Sequence, residues 1–65
     1  MNFTVEVVRT DKEGVAILHR STIEAANPRW ARAKAVNLLG IWRQLGANGV
    51  KVLNANQEEV YSWKD

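Results

Sequence analysis

Cysteine is absent from this 65-residue chain, and proline and histidine occur once each. Without cysteine the fold contains neither a disulfide nor a thiolate metal site, so it does not depend on an oxidising compartment. Stability has to come from core packing or self-association, because a chain of this length buries only about 60% of its unfolded surface. We expect a single small domain over residues 1–65 with little stability in reserve.

Long apolar runs are also absent. No stretch of about 18 apolar residues occurs, so the sequence predicts no membrane-spanning helix and no membrane partner. The first residues, MNFTVEVV, alternate polar and apolar side chains instead of forming a charged segment followed by an apolar block. These features predict a soluble protein that is not exported, and therefore a cytoplasmic location.

Groups suited to catalysis are sparse. His19 has no second histidine or cysteine with which to bind a metal or activate a nucleophile. Glu58 and Glu59 are neighbours on a predicted strand, so their carboxylates point to opposite faces. The glycines of GANG follow a helix and precede a strand, which is the reverse of a phosphate-binding loop. We predict no enzyme activity, no catalytic, cofactor-binding or metal-binding residues, and no small-molecule substrate.

Four segments have the pattern of strands. In NFTVEVVRT, the side chains of Phe3, Val5 and Val7 share one face. The polar turn DKEG joins this segment to VAILHRST, which predicts an antiparallel hairpin whose second strand ends near Thr22 or Ile23. The inward face of that strand stays open, since both faces carry apolar residues. VKVL and EEVYSW form a second hairpin around NANQ, where an asparagine is expected to adopt positive φ or bond its own backbone.

The segment between the hairpins is predicted to be a helix. Asn27 is a good N-cap and Pro28 a good first helical residue, which disfavours the alternative capping box of Ser21 and Glu24. The predicted buried stripe comprises Ala31, Ala35, Leu38, Leu39, Trp42 and Leu45. Gly46 is expected to end the helix, whereas Gly40 lies opposite the stripe and has no predicted packing role.

These elements predict an α+β fold. The order is strand, strand, helix, strand, strand, which gives a two-layer ββαββ domain. One helix packs on a four-stranded, mainly antiparallel sheet.

Positive charge is concentrated in the middle of the chain. The net charge is +2, but residues 20–51 hold six basic residues against one acid, Glu24. On a helical wheel Arg29, Arg32 and Arg43 lie on the side away from the buried stripe, and Lys34 follows Trp30 by one turn. Cations in the first helical turn oppose the helix dipole at about 0.3–1 kcal/mol each and would attract an anion. In the alternative interpretation these cations form a solvated face, offset by acids such as Glu24, Glu58, Glu59 or Asp65.

Two aromatic residues at the end of the chain are a second indication of a binding surface. Tyr61 and Trp63 lie two apart on a predicted strand and therefore share a face. If they face the helix they belong to the core. If they face outward they form an apolar patch on a sheet edge, suited to a partner or to a second copy.

The function expected from these features is a non-catalytic accessory or interaction module that binds a protein partner or self-associates. The alternative is a low-specificity nucleic-acid binder that contacts the phosphate backbone through the basic helix, and a small enzyme is a distant third. The predicted partner-binding residues are Arg29, Trp30, Arg32, Lys34, Arg43, Tyr61 and Trp63.

Overall fold

A computed structural model describes residues 1–64 and contains the elements in the predicted order. The strands are β1 (Asn2–Asp11), β2 (Gly14–Glu24), β3 (Gly49–Leu53) and β4 (Glu59–Lys64), and the helix α1 spans Pro28–Trp42. All neighbouring strands are antiparallel, in the order β2-β1-β3-β4. The predicted α+β ββαββ architecture is confirmed, and the sheet is fully antiparallel within the described chain.

The core lies between α1 and the two central strands. Val5 and Val7 of β1 pair with Val52 and Val50 of β3, and all four side chains are buried on the face that α1 covers. The helix packs mainly on β1 and β3, with its small alanines buried against the sheet. Both β2 and β3 run antiparallel to β1, so they are parallel to each other and α1 is the crossover that joins them.

The start of α1 follows the sequence signals. The side chain of Asn27 accepts a hydrogen bond from the backbone N–H of Trp30 at 3.0 Å, and Pro28 opens the helix. Ser21 lies within β2, which continues to Glu24, so no capping box forms and the strand ends later than predicted. A proline-compatible N-cap therefore determines where the helix begins.

The end of α1 differs from the prediction. The α-helix ends at Trp42, and a 3-10 turn over Arg43–Leu45 follows it directly. Gly46 then adopts a left-handed φ of 98° and ends the segment as expected. The prediction that Leu45 belongs to the buried stripe is wrong: Leu45 lies in the 3-10 turn beyond the end of the α-helix and is 64% exposed.

A β-bulge determines which face of β2 points inward. Val7 pairs with His19 and Val8 pairs with Ile17, so Leu18 is the extra residue. Leu18 packs against the core, and the ring of His19 stacks on Trp42 with centroids 4.9 Å apart. Beyond the bulge, Ile17 lies on the opposite face and is exposed.

The turn between β3 and β4 uses one asparagine in the way predicted. The Asn54 side chain accepts hydrogen bonds from the backbone N–H groups of Asn56 and Glu58, each at 2.9 Å. The positive φ of this turn, 65°, occurs at Gln57 and at neither of its asparagines. Two side-chain bonds thus organise a turn that contains no glycine.

Candidate functional site

A groove separates the side of α1 from β4. The helix packs mainly on β1 and β3, so β4 extends beyond it at one edge of the sheet. Two adjoining concavities share Arg32 and Tyr61 and together form a channel that we call the helix–β4 groove. Its lining includes Arg29, Arg32, Val36, Gly40 and Arg43 on the helix side and Val60, Tyr61 and Trp63 on β4.

The helix side of the groove follows directly from residue spacing. Arg32, Val36 and Gly40 are four residues apart, and Arg43 follows three residues later, so they lie along one face. Gly40 opens this wall, because a Cβ added there would meet no atom within 4 Å. The helix side of the groove therefore has no side chain at this position.

The β4 side of the groove is set by strand register. Tyr61 pairs with Val52 and Trp63 pairs with Val50, so both aromatic rings point to the face that α1 covers. Tyr61 packs against the core, whereas Trp63 lies farther along the edge and is 48% exposed. Of the two placements left open by the sequence, the helix-facing one is correct. It buries Tyr61 but leaves Trp63 accessible.

The groove is positively charged. The guanidinium of Arg32 lies over the Tyr61 ring, 4.9 Å from its centroid, which is within the range of a cation–π contact. Neither Arg29 nor Arg32 lies at ion-pair distance from a carboxylate among residues 1–64. The first turn of α1 contains no acid, and the lining residues identified on either side include none. Asp65, one of the acids considered for charge compensation, lies outside the described residues.

Two of the seven predicted binding residues lie elsewhere. The Lys34 ammonium donates a hydrogen bond to the backbone carbonyl of Glu24 at 2.8 Å, which ties α1 to the end of β2 on the side away from the groove. Trp30 is 59% exposed and lies beside Asn27 and Ala33 on the outer surface of the helix. The structure thus brings together Arg29, Arg32, Arg43, Tyr61 and Trp63.

Several lining residues are not among the predicted binding residues, and Gly40 and Val60 show why. Gly40 has a usable signal, since its spacing from Arg32 and Val36 places it on the same helical face. Val60 has none, because it lines the groove only as the extra residue of a bulge, where Val52 pairs with Tyr61 and Leu53 pairs with Glu59.

The face of the sheet opposite α1 carries a second, separate surface. Glu6 lies there, yet it is only 6% exposed, because Arg20 forms an ion pair with it from β2. Lys51, its neighbour on β3, lies 3.8 Å from the Glu59 carboxylate. Side chains of opposite charge therefore alternate from strand to strand on this face and form ion pairs with one another.

Residues 1–64 contain no cluster of three or more histidine, cysteine or acidic side chains that could hold a metal ion. No helix in this part of the chain has the length and apolar character needed to cross a membrane.

Comparisons with protein-family models, with curated proteins and with solved structures find no match to this chain.

Proposed function

We propose that this domain is a non-catalytic, cytoplasmic interaction module that binds an acidic segment of a partner protein in the helix–β4 groove. The observation that carries the proposal is the placement of Arg29 and Arg32 along the groove, where neither has a carboxylate partner within the described residues. Arg32 also lines the same concavity as the half-exposed Trp63. Guanidinium groups bind carboxylates with charge-assisted hydrogen bonds, and aromatic side chains are common anchors at protein interfaces.

Charge complementarity favours an acidic occupant. A carboxylate entering the groove meets cationic side chains and the amino end of α1, where the helix dipole adds positive potential. It meets no acid among the identified lining residues. The apolar surface of Val36 and Trp63 supports a partner segment that carries apolar residues beside its acids.

Nucleic acid is the second candidate. Two aromatic rings beside a row of arginines resemble the stacking surfaces that bind single strands. However, one face of Tyr61 is covered by Arg32, so that face is not available for stacking on a base. The small net charge of +2 is a further argument against a phosphate-backbone binder. This candidate therefore ranks below the acidic protein segment.

Self-association is a third outcome to be tested. The outer edge of β4 pairs with no other strand of the described chain, so the edges of two copies could pair. Sedimentation velocity of the isolated protein at 10 and 500 µM separates this case. A dimer that forms with increasing concentration would assign the groove edge to a second copy, and a monomer at both concentrations leaves it available for a partner.

The proposal is tested by selecting peptides from a random display library on the immobilised protein. We expect the enriched peptides to combine acidic and apolar residues, and to be lost when Arg29→Ala and Arg32→Ala are combined. A matched control combines Arg9→Ala and Lys12→Ala, which removes the same charge from the β1–β2 hairpin and should leave selection unchanged. Enrichment of peptides without acids, or equal losses in both variants, would contradict the proposal.

The nucleic-acid alternative has its own assay. Fluorescence anisotropy of a labelled 20-nucleotide oligothymidine is measured between 50 and 200 mM salt. Tight binding that falls steeply with salt and depends on Trp63 would favour the single-strand binder over the peptide binder.

A further inference from the structure

The groove lies along a sheet edge that can accept another strand. β2 and β4 are the two edges of the sheet. The β2 edge is interrupted by the bulge at Leu18. Near the end of β2, the Lys34 ammonium donates a hydrogen bond to the backbone carbonyl of Glu24. β4 has a bulge of its own at Val60, and its pairing with β3 from Tyr61 to Lys64 is regular. Edge strands direct alternate N–H and C=O groups away from the sheet, so β4 offers a template for a bound segment.

An added strand would bring its side chains to the groove. A neighbouring strand lies about 4.8 Å from β4, and every second residue points to the face on which α1 lies. Those residues would project towards Arg29 and Arg32 at one end and towards Gly40 and Trp63 at the other. The two ends therefore favour different side chains: acidic at the first and apolar at the second.

Gly40 gives this arrangement a specific contact point. A glycine inside a helix costs about 1 kcal/mol relative to alanine, and nothing within 4 Å of the missing Cβ requires it for internal packing. Gly40 lines the same concavity as Trp63, and the space beside its Cα is open. We call this open space in the groove wall the Gly40 recess.

We propose that the partner's acidic segment binds in extended form as a fifth strand on β4, with an apolar side chain seated at Gly40. This inference rests on the proposed function and specifies its binding mode. Main-chain hydrogen bonds from β4 would supply affinity, while the arginines and the Gly40 recess would select acidic and apolar residues at alternate positions.

The test uses two fluorescein-labelled nine-residue peptides of identical composition. In the first, threonine occupies every second position, and the four positions between hold two leucines followed by two glutamates. The leucine and glutamate side chains therefore all face one side of a strand. In the second, the leucines and glutamates are adjacent, which divides them between both faces. We expect the alternating peptide to bind at least fivefold more tightly. Hydrogen exchange should show new protection of backbone amides in β4.

Variants at the recess give an independent readout. Gly40→Leu fills the recess and should weaken binding of the alternating peptide at least tenfold without lowering thermal stability. Asn37→Leu is the matched control, because it adds the same side chain at an exposed helical position outside the groove lining. Equal effects of the two variants would overturn the assignment of the recess.

The outcomes separate the two proposals. If both peptides bind equally, depend on Arg32, and leave the β4 amides unprotected, strand addition is wrong and the acidic-segment function stands. If neither peptide binds at millimolar concentration, both proposals are wrong. If the protein itself forms a dimer whose β4 amides are protected, the added strand is a second copy and the acidic partner is wrong.

Discussion

Replacement of Gly40 by alanine should stabilise this domain. Gly40 lies in the body of α1 at an exposed position, and the added Cβ would meet nothing within 4 Å. The gain therefore comes from helix propensity and from lower entropy of the unfolded chain, and amounts to about 1 kcal/mol. For a domain of this size, that gain corresponds to a rise in Tm of roughly 4–8 °C.

The assay is urea unfolding followed by circular dichroism at 222 nm, with thermal unfolding as a second measure. The slope of the urea transition should stay unchanged, because the surface exposed on unfolding is nearly the same in both proteins. A lower midpoint would refute the reasoning, since it would mean that the position is crowded or that its backbone requires glycine.

Replacement of Gly49 by alanine is a matched comparison, in which we expect the free energy of unfolding to fall instead of rise. A Cβ at this position would lie 3.0 Å from the Trp63 carbonyl oxygen and 3.1 Å from a methyl group of Val8. The carbonyl belongs to the paired strand β4 and cannot move without disturbing the sheet. We expect Gly49→Ala to lower the free energy of unfolding by about 1–3 kcal/mol. Equal stability of the two variants would contradict the packing described for both sites.

Four further stability changes follow from the same structure and are measured in the same way. Asn27→Ala removes the N-cap bond and should cost about 0.5–2 kcal/mol, whereas a neutral result would show that the cap contributes nothing. Leu39→Ala empties the centre of the core and should cost about 2–5 kcal/mol, enough to abolish cooperative unfolding in a small domain. Arg20→Ala leaves the buried Glu6 carboxylate without its partner and should cost about 1–3 kcal/mol, while Lys51→Ala, at an exposed pair, should cost less than 1 kcal/mol.

Periodicity and capping chemistry in the sequence predict most of the fold. Period-2 alternation in Phe3, Val5 and Val7 can bury only one face of a strand, and Asn27 before Pro28 fits few structures other than a helix start. These signals are local, so they are readable without tertiary context. They predict the elements and their order but not which strands become neighbours, because strand order depends on packing across the whole chain.

The structure departs from the sequence pattern where local geometry breaks a period. Leu18 is an extra residue in the ladder, and this decides a question that the alternation left open: His19 faces the helix and Ile17 does not. Leu45 falls on the helical stripe by its spacing, but it lies in the 3-10 turn after Trp42 and is exposed. A one-residue insertion or a tighter turn leaves no clear mark in residue type, so alternation alone could not reveal either.

The candidate site was predictable to a similar extent. Helical spacing groups Arg29 with Arg32 and Arg43, and strand alternation groups Tyr61 with Trp63. That these two groups face each other across a groove depends on β4 being the edge beside α1, which no local pattern indicates. Lys34 lies apart from both groups for a related reason: it hydrogen-bonds to the end of β2, an element whose position relative to the helix no local pattern indicates.

The position of α1 on the sheet connects stability with binding. Ala31 and Ala35 are small enough for the helix to pack closely on β1 and β3, and this placement leaves the helix-facing side of β4 partly uncovered at Trp63. Gly40 widens the uncovered region at the expense of helix stability. If Gly40→Ala stabilises the protein and also weakens binding of an acidic, apolar peptide, the glycine serves the groove. If it stabilises the protein and leaves binding unchanged, the recess has no role and only the arginine contacts support the proposed function.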